Sequence, residues 1–310
     1  MHIDRGRVVR SALSLCCALL LSIHSAPLVA QEISGYELAL VDLDGKKQVL
    51  GTLPRSVFAP RLSPDGKRVA FELEAPPTAS GQLVSHVYVA ELAHLDQRRA
   101  LPLAGTGRNW APIWTPDGER LIFLVSSELP DALWWRRADG TGEAQQLVVG
   151  RAPEGITANG QQLAFITLTG KRDYGISFLD MKTKAVTPLV DQPDSEQHSS
   201  RISPDGRWIA YASNETGRQE VWLEPLPKTG QRHRLTQTGG RHPLWSPDGS
   251  ALFFDQDGQM FRLELSLSAN PPRAGEPKGL PIKGFQQGDL RRQFDLMPDG
   301  KRFLLLFPLR

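Results

Sequence analysis

Six times along the chain a tight-turn signature is followed at fixed offsets by apolar residues, and that repeat constrains the fold more than any other feature. Four copies read Ser/Thr-Pro-Asp-Gly: Ser63–Gly66, Thr115–Gly118, Ser203–Gly206 and Ser246–Gly249. A fifth is Met297-Pro298-Asp299-Gly300, and a worn copy is Thr157-Ala158-Asn159-Gly160. Proline presets φ for the first central position of a turn, aspartate hydrogen-bonds the backbone just ahead, and glycine accepts a positive φ. The third residue past each glycine is Val69, Leu121, Leu163, Ile209, Leu252 or Phe303, and the fifth is Phe71, Phe123, Phe165, Tyr211, Phe254 or Leu305. Each turn therefore opens into a short strand covered on both faces. The loss of Pro-Asp in the third copy is expected to loosen its turn.

Turn-to-turn spacings of 52, 42, 46, 43 and 51 residues match units of four strands arranged as propeller blades. A second strand pair is expected after each of the first five turns, beginning with Val87–Ala90, Leu133–Arg136, Ile176–Leu179, Val221–Glu224 and Met260–Glu264. The sixth turn, in "MPDGKRFLLLFPLR", lacks a second pair, whereas "YELALVDLDGKKQVL" near the start is a second pair lacking a first. The fold class predicted is all-β, a six-bladed β-propeller whose N- and C-terminal strands share one blade and close the ring, leaving no exposed sheet edge.

Arg5, Arg7 and Arg10 precede an apolar run from about Ala12 to Ile23, and Ala30 offers a cleavage point. Residues 1–30 read as a secretory signal peptide and residues 31–310 as one propeller domain. Both cysteines, Cys16 and Cys17, fall in the leader, so the mature domain is expected to depend on its core and not on disulfides. Removing the leader takes Lys+Arg from 36 to 33 and Asp+Glu from 34 to 33. A neutral chain without a basic footprint argues against nucleic-acid binding.

The segments "SPDGKRVAF", "TPDGERLIF", "SPDGRWIAY" and "SPDGSALFF" resemble the WD-like repeat of the TolB propeller, a likeness that spans the mature chain. The stretch from Tyr211 to Phe254 is also similar to extracytoplasmic propeller domains of bacterial receptor-type kinases. The resemblance implies a periplasmic or secreted propeller. TolB-type proteins carry an additional amino-terminal domain, for which there is no room between Ala30 and Tyr36. Propellers of this kind serve as binding platforms, peptidase gates and enzyme scaffolds, so function has to be argued from the site.

No Gly-x-Ser-x-Gly elbow, His-Glu-x-x-His, P-loop or EF-hand loop is found, and "GTGRNW" at Gly105 reads as a loop. Residues four to six places before each turn should begin the innermost strands and line a central channel. They include Phe58, Asn109, Trp110, Arg151, His198, Arg241, His242, Arg291 and Arg292, with Ser199 and Gln293 adjacent, and Glu154 is the only carboxylate near this set. Arginine, histidine, an amide and aromatics suit an anionic or peptide ligand better than a metal ion. Asn109, Trp110, Arg151, His198, Arg241, His242, Arg291 and Arg292 are the candidate channel-mouth binding residues. Neither a catalytic residue nor a cofactor is expected. The reading is a monomeric, non-catalytic module that binds an envelope protein or peptide. The alternative is a hydrolase or lyase using His198, His242, Arg241 and Arg292. Trp114 and Trp245 are assigned to the core. Trp134 and Trp135, being adjacent on a strand, face opposite ways, so one ring should lie outside or wedge between blades.

Overall fold

The structure is a computed structural model; it describes residues 33–102, 107–126, 130–169, 173–269 and 271–310. The expected leader and Gly105 lie outside them. Among the described residues every regular element is a β-strand. The first sheet-forming pair is β1 (Gly35–Asp42) and β2 (Lys47–Pro54). Then come β3 (Val57–Leu62), β4 (Arg68–Ala75), β5 (Val84–Glu91) and β6 (His94–Ala100), followed by β7 (Arg108–Trp114), β8 (Arg120–Ser126), β9 (Ala132–Arg137) and β10 (Gln145–Val149). Next are β11 (Pro153–Ile156), β12 (Gln162–Thr169), β13 (Asp173–Asp180) and β14 (Val186–Val190), then β15 (Gln197–Ile202), β16 (Trp208–Ser213), β17 (Glu220–Pro225) and β18 (His233–Arg234). The chain continues through β19 (Arg241–Trp245), β20 (Ala251–Gln256), β21 (Gln259–Ser266), β22 (Arg273–Ala274) and β23 (Lys278–Lys283), and ends with β24 (Phe294–Leu296) and β25 (Arg302–Leu309).

Within a unit, neighbouring strands pair antiparallel. Sheets run β11-β12-β13-β14 and β15-β16-β17-β18, and β19-β20-β21 carries both β22 and β23 on β21. The units β3–β6 and β7–β10 merge into one eight-stranded sheet through a single parallel bridge, Ser85 to Arg108. The chain ends share a sheet of order β2-β1-β25-β24, in which β1 and β25 pair without a break from Gly35–Leu309 to Asp42–Arg302. All five predicted second pairs begin on observed strands.

The turn chemistry recurs as the sequence implies. Ser63 donates from Oγ to Asp65 Oδ1 at 2.5 Å while the amides of Lys67 and Arg68 donate to Asp65 and Ser63. The copies at Thr115, Ser203 and Ser246 repeat the hydroxyl-to-aspartate bond. The worn copy is not loosened, because Asn159 Oδ1 replaces the aspartate, accepting from Thr157 Oγ1 at 2.6 Å and from the Gln161 amide at 3.0 Å.

Every residue at the third and fifth offsets past the glycines is at most 1% exposed. Those offsets, and the residue between them, feed the core, which among the described residues forms six apolar clusters. Each cluster bridges successive repeat units. Leu38, Leu304 and Leu306 of the terminal sheet pack with Val57, Val69 and Phe71, while Ala39, Val41, Phe303 and Leu305 on its other face pack with Phe253 and Met260. Trp114 and Trp245 are core residues, and each indole ties adjacent units by donating to a neighbouring strand's carbonyl, Arg61 and Arg201 respectively, at 2.9 Å. Trp134 and Trp135 split as the strand geometry requires and wedge against different clusters.

Candidate functional site

The strands β3, β7, β11, β15 and β19 each carry a β-bulge or irregularity, between Phe58 and Arg61, Trp110 and Ile113, Pro153 and Gly155, His198 and Arg201, and Arg241 and Leu244. In four of them the residue four places before the turn is left-handed: Ala59 (φ 50°), Ala111 (φ 52°), Ser199 (φ 58°) and His242 (φ 52°). Such a bulge interrupts the ladder and re-aims side chains and amides. Freed amides are taken across units, Ala59 N donating to Gln293 Oε1 at 2.8 Å and Ser200 N to Glu154 Oε2. The strain at Ser199 is thus shared with alanines at the same register and belongs to the architecture.

Before the bulges, Trp110, Arg151 and Arg291 line one cavity of about 370 Å³ together with Phe58, Tyr174 and the 287–290 loop. The Arg291 guanidinium lies 5.2 Å from the Phe58 ring centroid and 4.8 Å from that of Trp110, and it pairs with Glu72 at 2.7 Å. Arg108 approaches the same indole at 5.1 Å and binds Glu72 at 3.2 Å and Glu74 at 2.7 Å. Burial pushes the Glu72 carboxyl up, while Arg291 and Arg108 oppose the shift. Trp110 Nε1 donates to Ser126 Oγ at 3.1 Å, which fixes its plane. Arg151 stands at the rim, 3.6 Å from Asp131.

The other predicted residues lie apart from this cavity's lining. His198 and His242 are buried with ring centroids 6.2 Å apart. His198 Nδ1 meets Ser199 Oγ at 2.9 Å, and His242 lies between Asp255 Oδ1 at 2.8 Å and the Asp289 carbonyl at 3.2 Å. Burial, reinforced by His242 and Arg241, pushes the His198 imidazole down to about 3. Arg241 pairs with Asp289 at 3.1 Å on the exposed side. Asn109 is buried in β7. Arg292 turns toward the other end of the strands, donating to the Phe294 carbonyl at 2.8 Å and to Asp295 at 3.0 Å.

Glu154 is not the sole carboxylate here: Glu72, Asp255, Asp289 and Asp295 join it. First-strand reading missed Glu72 and Asp255 because they sit on β4 and β20. Both are six places past a turn glycine, where the other copies carry Leu124, Ile166, Ala212 and Leu306. A charge at an otherwise apolar register was the available signal.

No family model matches the chain. Among curated proteins it is 25% identical over 247 residues to dipeptidyl-peptidase 5 of Porphyromonas endodontalis, an alignment covering 61% of this chain and 35% of that protein. The chain thus spans about a third of the length of that curated relative. Among solved structures, a TolB protein of Agrobacterium tumefaciens superposes with a TM-score of 0.69 at 17% identity, covering 90% of this chain and 99% of the other. Hydrazine synthase of Kuenenia stuttgartiensis gives 0.61 at 14%, covering 93% and 99%. Oligogalacturonate lyase of Vibrio parahaemolyticus gives 0.51 at 13%, covering 90% and 98%. These likenesses show a TolB-like β-propeller fold.

Proposed function

We propose that this chain is an exported six-bladed β-propeller that docks a protein or peptide of the bacterial envelope at the mouth of its channel. The observation that carries the reading is the cavity walled by Phe58, Trp110 and Tyr174 and edged by Arg151 and Arg291. Aromatic and arginine side chains are the usual anchors of interfaces. A face around such an anchor supplies the roughly 800 Å² per partner of a specific complex. Six blades are supported by the six bridging clusters, and closure by the β1–β25 pairing. The leader reading supports export.

The test is crosslinking capture from envelope fractions with tagged residues 31–310, beside a Trp110→Ala/Arg151→Ala variant that melts like the parent. A protein captured by the parent and lost from the variant supports docking at the mouth. Identical capture by both removes the cavity from the proposal.

A second reading, a propeller hydrolase or lyase, draws support from Asp255, which supplies the orienting carboxylate that His242 lacked in the sequence. Against it, both ring nitrogens of His242 already face acceptors. Turnover abolished by His242→Gln would favour this reading.

A further inference from the structure

At the turn end of the innermost strands a second, smaller cavity of about 170 Å³ is lined by Arg61, Glu154, Arg201, Arg292 and Asp295. Arg61 and Arg201 occupy equivalent places, two before the turns of β3 and β15, and Arg292 precedes β24. The side chains therefore converge from two sheets and from the segment that leads into a third. Arg61 is 8% exposed, Arg292 5% and Glu154 5%.

The carboxylates are already engaged. Glu154 accepts from the Ser200 amide, while Asp295 accepts from the Leu62 amide at 2.9 Å and from Arg292 at 3.0 Å. The arginines are held mainly by carbonyls. Arg61 Nη1 donates to Pro60 at 2.8 Å and Arg292 at 2.9 Å, Arg292 Nε donates to Phe294, and Arg201 Nη1 donates to Ser200 and Glu154 carbonyls. Arg61 Nε is buried and meets no acceptor. Three guanidinium groups face two carboxylates, so the cluster carries excess positive charge where water is scarce. Burial holds all three arginines below their usual range, Arg61 at about 10, and each further depresses or is depressed by a neighbour. Burial also pushes Glu154 up against the pull of Arg201, which weakens its ability to neutralise the cluster. An uncompensated buried charge is costly, and an anion with several oxygens compensates it through charge-assisted bonds.

We infer that the cavity formed by Arg61, Arg201 and Arg292 is a binding site for a tetrahedral oxyanion of the phosphate or sulfate class. A carboxylate matches one guanidinium fork with two oxygens. Forks arriving from β3, from β15 and from the segment before β24 present donors to more oxygens than a carboxylate has. The site lies at the opposite end of the strands from the Trp110 cavity and is independent of the docking proposal. Its occupant ties β3, β15 and β24 together, so binding should register as stability.

The experiment titrates inorganic phosphate, sulfate and acetate into residues 31–310 against chloride at matched ionic strength, following thermal melting and calorimetric heat. At tenfold excess over its dissociation constant, phosphate or sulfate should raise the melting temperature by on the order of 3 °C with one site per chain. Glu154→Gln keeps an oxygen for the Ser200 amide and removes a competing charge; it should tighten phosphate binding several-fold. Arg201→Gln should abolish the shift, and if that variant does not fold, Glu154→Gln decides. A shift no larger than chloride's, one unchanged in Arg201→Gln, weaker phosphate binding by Glu154→Gln, or a response to acetate without one to phosphate overturns the assignment.

Discussion

His242 and Asp255 form a buried pair, with Nδ1 2.8 Å from Oδ1 and the two side chains 1% and 3% exposed. The other ring nitrogen lies 3.2 Å from the Asp289 carbonyl. Both ring nitrogens therefore face oxygen acceptors, the Asp255 carboxylate on one side and the Asp289 carbonyl on the other. His242 thus joins β19 to the 287–290 loop that walls the cavity beside Trp110. Asp255→Ala strands the imidazole and should destabilise by about 3 kcal/mol. Asp255→Asn, retaining an oxygen acceptor, should cost less. Urea unfolding of both variants checks the order, and equal small losses would show that the pair is not structural.

Acid should act through His198. Its imidazole is pushed down to about 3 from 6.5 because burial disfavours the charged form. The unfolded chain therefore binds a proton that the folded chain refuses. Stability from this group is present in full above about pH 6.5 and is lost as pH falls toward 3, by up to about 1.4 kcal/mol per unit. The turn carboxylates Asp65, Asp117 and Asp248, held below their usual range first by the hydroxyls of Ser63, Thr115 and Ser246, also weaken in acid. Comparing the parent with His198→Gln isolates the histidine: the variant's stability should fall less between pH 6.5 and 4. Parallel curves would remove the assignment.

Turn glycines should divide by surroundings. Gly206 has φ +74° with open space where a Cβ would sit, whereas a Cβ on Gly300, φ +68°, would lie 2.6 Å from Pro247 Cδ. Gly206→Ala should cost about 1 kcal/mol from backbone strain alone. Gly300→Ala adds a clash between neighbouring turns and should cost about 2–3 kcal/mol. Chemical denaturation of the two variants measures the difference, and equal costs would mean that the turn contact yields freely.

Deleting residues 31–50 removes β1 and leaves the long edge of β25 unpaired. Aggregation visible by light scattering is the expected outcome. A soluble monomer with unchanged melting would show that the terminal pairing is dispensable.

The sequence by itself determined the strands and the turns. An apolar residue at a fixed offset is buried wherever its repeat falls, so Val69 through Phe303 and Phe71 through Leu305 could be assigned to the core by counting. The positive φ at each turn glycine follows from the same local chemistry. The candidate site was legible in part. Trp110, Arg151 and Arg291 do share a cavity, Trp110 from five places before its turn and the two arginines from six. The bulges were not legible: with one residue left-handed at Ala59 or His242, the alternation of faces breaks, and counting along β3 or β19 no longer says which way a side chain points. Only the tertiary structure sent Arg292 to the turn end beside Arg61 and Arg201, and only it brought Asp255 to His242 and Glu72 to Arg291. Those partners come from different strands or sheets, and a charged side chain buried away from water must find its counter-charge in space, wherever the chain supplies one.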